Sequence, residues 1–242
     1  MRTLLKLILF LAGTVLVVLL AAFCWLYFYS RDLPDVRVLA QFAPTATASV
    51  SDPCLTKASV AIPYDAIGKN IRNAITAVET SERDPGVLRA TFQGLVSQEL
   101  RSRTAPASWY VSRTMCYQRS TDLGRQVTEI RTAIQLERNY SRQQLFTMFA
   151  NRIFLGPGLI GVQEGSELYF HKQAADLTLP EAALLVGLFR SPTVYSPFRH
   201  PDRAVQRRND VVDAMLEDGS ITSEEAQLAK AAPLGVGQPR LQ

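Results

Sequence analysis

Two carboxylates stand where a side chain can move a proton or meet a phosphate. Glu79 ends an apolar helical stripe in Ala77-Val78-Glu79-Thr80-Ser81-Glu82. A carboxyl at a helix end with apolar neighbours is desolvated. Its pKa then rises toward what a general base needs near neutral pH. The plainer reading is the first solvated residue after the stripe, and residue chemistry alone favours it. Glu129 lies four residues after Arg125, so both side chains leave one helix face. A cation and a carboxylate side by side can grip a pyrophosphate, directly or through a metal ion. The alternative is an ordinary exposed pair of small energetic weight. The run Asn151-Arg152-Ile153-Phe154-Leu155-Gly156-Pro157-Gly158-Leu159-Ile160-Gly161 packs glycines and a proline into a tight loop after an apolar helix. Such a loop brings backbone against a ligand or another helix. Glu181 is explained by its capping position after Thr178.

A helical frame must hold these groups. Asn70–Thr80 carries Ile71, Ala74, Ile75 and Val78 at i, i+3, i+4, i+7. Val87–Leu100 reads as another helix. Arg125–Arg138 repeats the pattern through Val127, Ile130, Ile134 and Leu136. Capping boxes at Ser141/Gln144, Thr178/Glu181 and Thr222/Glu225 start three more helices. A further helix begins after Pro201, stops near Gly219, and buries Val211, Val212, Met215 and Leu216. Strand signals are scarce, so the reading is a mostly α domain over residues 69–242, large enough for one core. Residues 31–68 carry Pro34, Pro44, Pro53 and Pro63 among Thr, Ser and Ala, the pattern of an irregular stalk with at most short strands.

Residues 1–30 form the remaining unit. Leu7–Ser30 is a charge-free run of 24 residues. As a helix it would span about 36 Å, enough for a ~30 Å hydrocarbon core with tilt. Arg2 and Lys6 precede it, while Arg31, Asp32, Asp35 and Arg37 cancel after it. That bias puts the N-terminus in the cytoplasm and the rest of the chain outside, with Trp25, Tyr27 and Tyr29 as an interfacial belt. A cleaved signal peptide would have a shorter apolar core and an A-x-A-like site. The bulky Phe23 argues against lipid attachment at Cys24. Outside, Cys54 and Cys116 are free to pair, and the sequence leaves that open.

The chain has 242 residues, 47% of them hydrophobic, with 26 Lys and Arg against 22 Asp and Glu, a formal charge of +4. This excludes a disordered chain, a collagen-like repeat and a disulfide-dense mini-protein. Two His and three scattered Cys argue against a Cys/His zinc site, so no metal ligand is assigned. The mild positive excess suits work beside lipid headgroups or phosphates and gives no reason to expect nucleic acid.

Taken in order, several stretches resemble glycosyltransferase family 51, the transglycosylase domain of class A penicillin-binding proteins and monofunctional transglycosylases. They are Arg125-Gln126 with Glu129, Gln135-Leu136-Glu137, the Asn151–Gly161 loop, Leu177–Leu188, Ser191-Pro192-Thr193-Val194-Tyr195-Ser196-Pro197-Phe198, and Arg207-Arg208-Asn209. The resemblance implies a lysozyme-like helical domain behind one transmembrane helix, in the bacterial cytoplasmic membrane and facing outward. It implies polymerisation of lipid II, or a related undecaprenyl-pyrophosphate glycan, with inversion and release of undecaprenyl pyrophosphate. By position Glu79 would be the base and Glu129 the second acid. Arg113, Arg125, Asn151 and Ser108 would bind substrate. No cofactor is implied with certainty, and a divalent cation at the pyrophosphate stays open. The first motif departs from the family at Thr80 and is shortened. The second reads Ala105-Pro106-Ala107-Ser108-Trp109-Tyr110, with aromatics in place of two glutamines.

Three activities follow. The chain is an active glycosyltransferase, a catalytically impaired relative that binds lipid-linked precursor or cell-wall synthesis proteins, or a lysozyme-like hydrolase. The surviving pair of acids leans toward the first. The chain reads as ending near the limit of the transferase domain, so crosslinking is expected from a separate transpeptidase.

Overall fold

The computed structural model describes residues 2–29, 33–50, 58–79, 106–115 and 122–237. Helix α1 (Arg2–Tyr29) is 28 residues long. It holds Phe10, Leu11, Val15 to Leu20, Phe23 and Trp25 exposed. Among the described residues no helix is long and apolar enough to cross a membrane. In α1 the side chains described are Lys6 and residues 10–25, a shorter stretch than the charge-free run of the sequence.

Among its described residues, the stretch read as a stalk is built of short pieces that are not separate from the domain. A 3-10 turn over Val36–Phe42 places Val36, Leu39 and Phe42 three residues apart on one edge, and all three are buried. Asp35 caps this turn by accepting from the Arg37 amide at 2.9 Å. Strand β1 (Ala48–Val50) pairs antiparallel with β2 (Ser59–Ala61), Ala48 opposite Ala61. A second 3-10 turn, Tyr64–Ile67, leads into the helices. Leu39, Phe42, Ala61, Ile62 and Ile67 lie in the same core as the helical residues. The prolines hid this, because they break helical and strand periodicity without removing apolar side chains.

Helix α2 (Lys69–Val78) matches the expected Asn70–Thr80 and buries Ile71, Ala74 and Ile75. Next come α3 (Ala107–Arg113), α4 (Asp122–Asn139) and α5 (Arg142–Arg152). A hairpin of β3 (Phe154–Gly156) and β4 (Leu159–Ile160) follows. Then come α6 (Val162–Phe170), α7 (Leu179–Gly187), α8 (Pro201–Glu217) and α9 (Ser223–Ala231). Helix α7 is the centre. Ala182 to Gly187 are buried, and α2, α6 and α8 pack around it. Helix α3 is wedged between α4 and α5.

All three expected capping boxes form. Gln144 N donates to Ser141 Oγ at 3.2 Å, and Ser141 N donates back to Gln144 Oε1 at 2.9 Å. Helix α8 buries Val211, Val212 and Met215, with Leu216 half-buried. It also buries Arg208, whose guanidinium donates to the Ala232 and Lys230 carbonyls at 2.5 and 2.8 Å and closes the end of α9. The glycine-rich loop meets a helix: Gly161 (φ 86°) sits where a Cβ would be 2.8 Å from the Asn151 carbonyl oxygen. The Val87–Leu100 helix and the Cys54–Cys116 pair lie outside the described residues. Cys24 is free and exposed.

Candidate functional site

Glu79 closes α2. Its amide donates to the Ile75 carbonyl at 2.8 Å, and its side chain turns toward α3. There the Tyr110 phenol acts on it electrostatically, favouring the ionised form. Burial pushes the Glu79 carboxyl above the ordinary carboxylate range. The Tyr110 phenol and the positive charges of Arg207 and Arg190 pull the other way without cancelling it. Burial and the adjacent carboxylate push the Tyr110 phenol up strongly. At neutral pH it is therefore a neutral donor. Its ring packs on Phe149, centroids 5.3 Å apart.

One turn further along α3, Arg113 places Nε 3.9 Å from Glu129 Oε2. Arg125, one turn before Glu129 on α4, places Nε 3.7 Å from Oε1. The Glu129 side chain is 11% exposed, while Arg113 and Arg125 are 63% and 55% exposed. A nearly buried anion thus sets two solvent-facing guanidinium groups side by side. Each carries five N–H donors in a planar fork, which suits phosphate oxygens. Tyr110 and Arg113 are i, i+3 on one helix, so they share a face. Tyr110, which acts on Glu79, and Arg113, which meets Glu129, thus belong to the same face of α3.

Ser108 and Asn151 are bonded within the framework. Ser108 is buried and donates to Glu137 Oε1 at 2.7 Å, tying α3 to α4. Asn151 is fully buried. Its Oδ1 accepts from the Ile62 amide at 3.0 Å, and its Nδ2 donates to the Phe42 and Ile62 carbonyls at 2.8 and 2.9 Å. Its amide thus binds the segment before α2 to α5.

Sequence reasoning did not place Tyr110, Arg190 or Arg207 beside Glu79. For Tyr110 a signal existed, because it stands three residues before Arg113 and must share its face. Arg207 approaches from α8, where Nε donates to the Gly187 carbonyl at 3.4 Å and Nη1 lies 3.8 Å from Asp210. Arg190 follows α7 in a 3-10 turn over Leu188–Arg190. Contacts of this range in sequence leave no local pattern. Among the described residues, no group of three or more His, Cys, Asp or Glu gathers to hold a metal ion.

The domain is mostly helical, with a desolvated carboxylate at Glu79 and a carboxylate flanked by two arginines at Glu129. Comparison narrows the class. A family model described as Transglycosylase matches residues 53–216. The chain is 29% identical over 245 residues to penicillin-binding protein 1A of Aquifex aeolicus, covering 96% of this chain and 34% of that protein. It is 31% identical over 223 residues to penicillin-binding protein 1A of Vibrio cholerae, covering 86% and 27%. The crystal structure of penicillin-binding protein 1A from Haemophilus influenzae aligns with 56% of this chain and 17% of that one, at 24% identity and a TM-score of 0.37. The chain belongs to the transglycosylase family, glycosyltransferase family 51. It spans about a third or less of the length of these curated relatives.

Proposed function

We propose that this chain is a membrane-bound peptidoglycan glycosyltransferase that polymerises lipid II, or a closely related undecaprenyl-pyrophosphate glycan. The observation that carries the reading is one face of α3, with the desolvated Glu79 at one turn and the Arg113–Glu129–Arg125 cluster at the next. Family membership supplies the chemistry to fit to it.

In this reading Glu79 takes the proton from an acceptor sugar hydroxyl. The hydroxyl oxygen attacks the anomeric carbon of the donor from the face opposite the pyrophosphate, so configuration inverts. The bond from that carbon to the pyrophosphate oxygen breaks, and undecaprenyl pyrophosphate leaves with the electron pair. Arg113 and Arg125 meet the charge that develops there. Glu129 keeps the two cations together despite their mutual repulsion. A divalent cation at that end would take Glu129 and the substrate phosphates as ligands.

The anchor is part of the proposal. Helix α1 presents exposed apolar side chains from Phe10 to Trp25, and the sequence continues this character from Leu7 to Tyr29. The domain would then stand on the periplasmic side of the inner membrane with a lysozyme-like arrangement of helices. The second reading is a catalytically impaired relative that binds the same precursor. The sequence departures favour it: Thr80 in the first motif, and Trp109 and Tyr110 in place of the two glutamines of the second.

The test is polymerisation of fluorescent lipid II by the purified full-length protein in detergent. Glycan ladders that vanish in Glu79→Gln support the enzyme. Tight lipid II binding without turnover in wild type overturns it in favour of the binding reading.

A further inference from the structure

We propose that Glu137 is a positioning residue for the paired arginines: by accepting from Ser108 it sets how far α3 slides along α4, and with that where Arg113 stands beside Glu129. The inference rests on the reading of Arg113, Glu129 and Arg125 as the pyrophosphate end of the site.

The two helices are joined at two points. Near the start of α3, Ser108 Oγ donates to Glu137 Oε1 at 2.7 Å. At its end, Arg113 Nε lies 3.9 Å from Glu129 Oε2. The order reverses from one helix to the other, so α3 and α4 run in opposite directions, and a slide at one joint moves the other. The two joints are unequal. Arg113 is more than half exposed and its contact is long, so it holds little by itself. Ser108 is buried, and its bond to a carboxylate is short and charge-assisted.

Packing alone leaves the slide loosely set. The buried face of α3 is Ala107, Ser108, Val111 and Ser112. Thr128, Thr132 and Ala133 are buried on α4. Short side chains make shallow ridges and grooves, which resist sliding less than large ones. A directional hydrogen bond fixes what they leave open. Beyond the other end of the helix, Arg152 holds Thr114 through Oγ1 and the carbonyl. That latch ties the end of α3 to α5, and Glu137 ties its start to α4.

The experiment is binding of inorganic pyrophosphate, measured by calorimetry on the full-length protein in detergent at low salt. Glu137→Leu removes the acceptor and should weaken binding about threefold or more. Loss of a negative charge would by itself tighten anion binding, so weakening reports position rather than field. In an Arg113→Met background, adding Glu137→Leu should cost little further affinity, because the two act as one unit. A framework role alone gives two losses that multiply. Glu137→Gln keeps an oxygen for the Ser108 hydroxyl and should retain most of the wild-type affinity. Should Glu137→Leu not fold, Ser108→Ala takes its place, with the same loss expected in wild type and the same lack of loss beside Arg113→Met. Where Arg113→Met binds too weakly to measure, Arg113→Lys serves as the second background. The proposal is overturned by wild-type affinity in Glu137→Leu or its substitute, by a loss of equal size in both backgrounds, or by a Gln variant as weak as the Leu variant. A wild-type chain that binds no pyrophosphate overturns the reading of this end of the site, and the proposal with it. A chain that shows the coupling but does not polymerise lipid II loses the enzyme reading and keeps the role of Glu137.

Discussion

Arg152 at the end of α5 reaches across to Thr114 at the end of α3, with Nε 2.8 Å from the hydroxyl and Nη2 2.9 Å from the carbonyl oxygen. The guanidinium is buried and lies over the Phe42 ring, 4.5 Å from its centroid. Helix α3 has seven residues, too few to be stable alone, and its last carbonyls need partners. Arg152 supplies charged donors where a helix end favours positive charge. Both Tyr110 and Arg113 ride on that helix.

Arg152→Met should therefore destabilise the protein by about 3 kcal/mol or more, since two charge-assisted hydrogen bonds go and a buried carbonyl loses its donor. Urea unfolding checks this through a lowered midpoint. Lipid II turnover should fall with it, because α3 loosens. An unchanged midpoint together with lost turnover would place Arg152 in contact with substrate instead.

Glu79 makes a prediction with a sign. Its carboxyl titrates above the ordinary range in the folded chain and near about 4.3 when unfolded. A base works only when ionised, so the rate should fall as pH drops through the raised folded value rather than near 4. Stability runs the other way. The folded state favours the protonated form, so the stabilising contribution is full below the unfolded pKa and is lost as pH rises through the folded one. Glu79→Gln should then melt slightly higher than wild type at neutral pH, with the difference closing under acid. The same variant should lose turnover by roughly 10²-fold or more. Thermal melts at several pH values, paired with ladder assays, check both arms. A Gln variant less stable than wild type at neutral pH would contradict the desolvation argument.

The structure explains what the sequence could and could not announce. Capping at Ser141, Thr178 and Thr222 was legible because each box closes within four residues. The stripe ending at Glu79 was legible for the same local reason. The placement of Val36, Leu39 and Phe42 in the core was not. Their three-residue spacing is that of a 3-10 turn and lies among prolines. Arg152 and Arg208 were hidden by type, because an arginine reads as solvated until the carbonyls it satisfies are known. Glu79 meets Arg190 and Arg207 only through the packing of α2 on α7 and α8, which no window of sequence contains.

Asn151 illustrates how a polar residue in a family-like loop can be read two ways. Its amide makes three hydrogen bonds to the backbone of Phe42 and Ile62, and it has no exposed surface. Asn151→Ala should strand those backbone groups and cost about 2–4 kcal/mol. Gly161→Ala should be nearly as harmful, since the new Cβ meets the Asn151 carbonyl at 2.8 Å with φ at 86°. In both variants, protein that remains folded should bind lipid II with unchanged affinity. Calorimetric melting and a binding isotherm separate the effects. A stable Asn151→Ala with weakened binding would place the residue in the substrate site instead.

Arg113 and Arg125 should behave in the opposite manner. Each is more than half exposed and meets Glu129 only at 3.7 to 3.9 Å, so their ion pairs add little to stability, within about 0–1 kcal/mol. Their value lies in what they present to an anion. Arg113→Met and Arg125→Met should leave the melting temperature nearly unchanged and raise KM for lipid II several-fold. The wild-type KM should climb with salt, and either variant should show a shallower climb. Glu129→Gln removes the charge that holds the two guanidinium groups together. It should lower kcat more than it alters KM, because the cations then splay apart as the leaving pyrophosphate gathers charge. Steady-state kinetics at two ionic strengths distinguish these patterns. Salt slopes that do not differ between wild type and the arginine variants would remove the pyrophosphate from this end of α3.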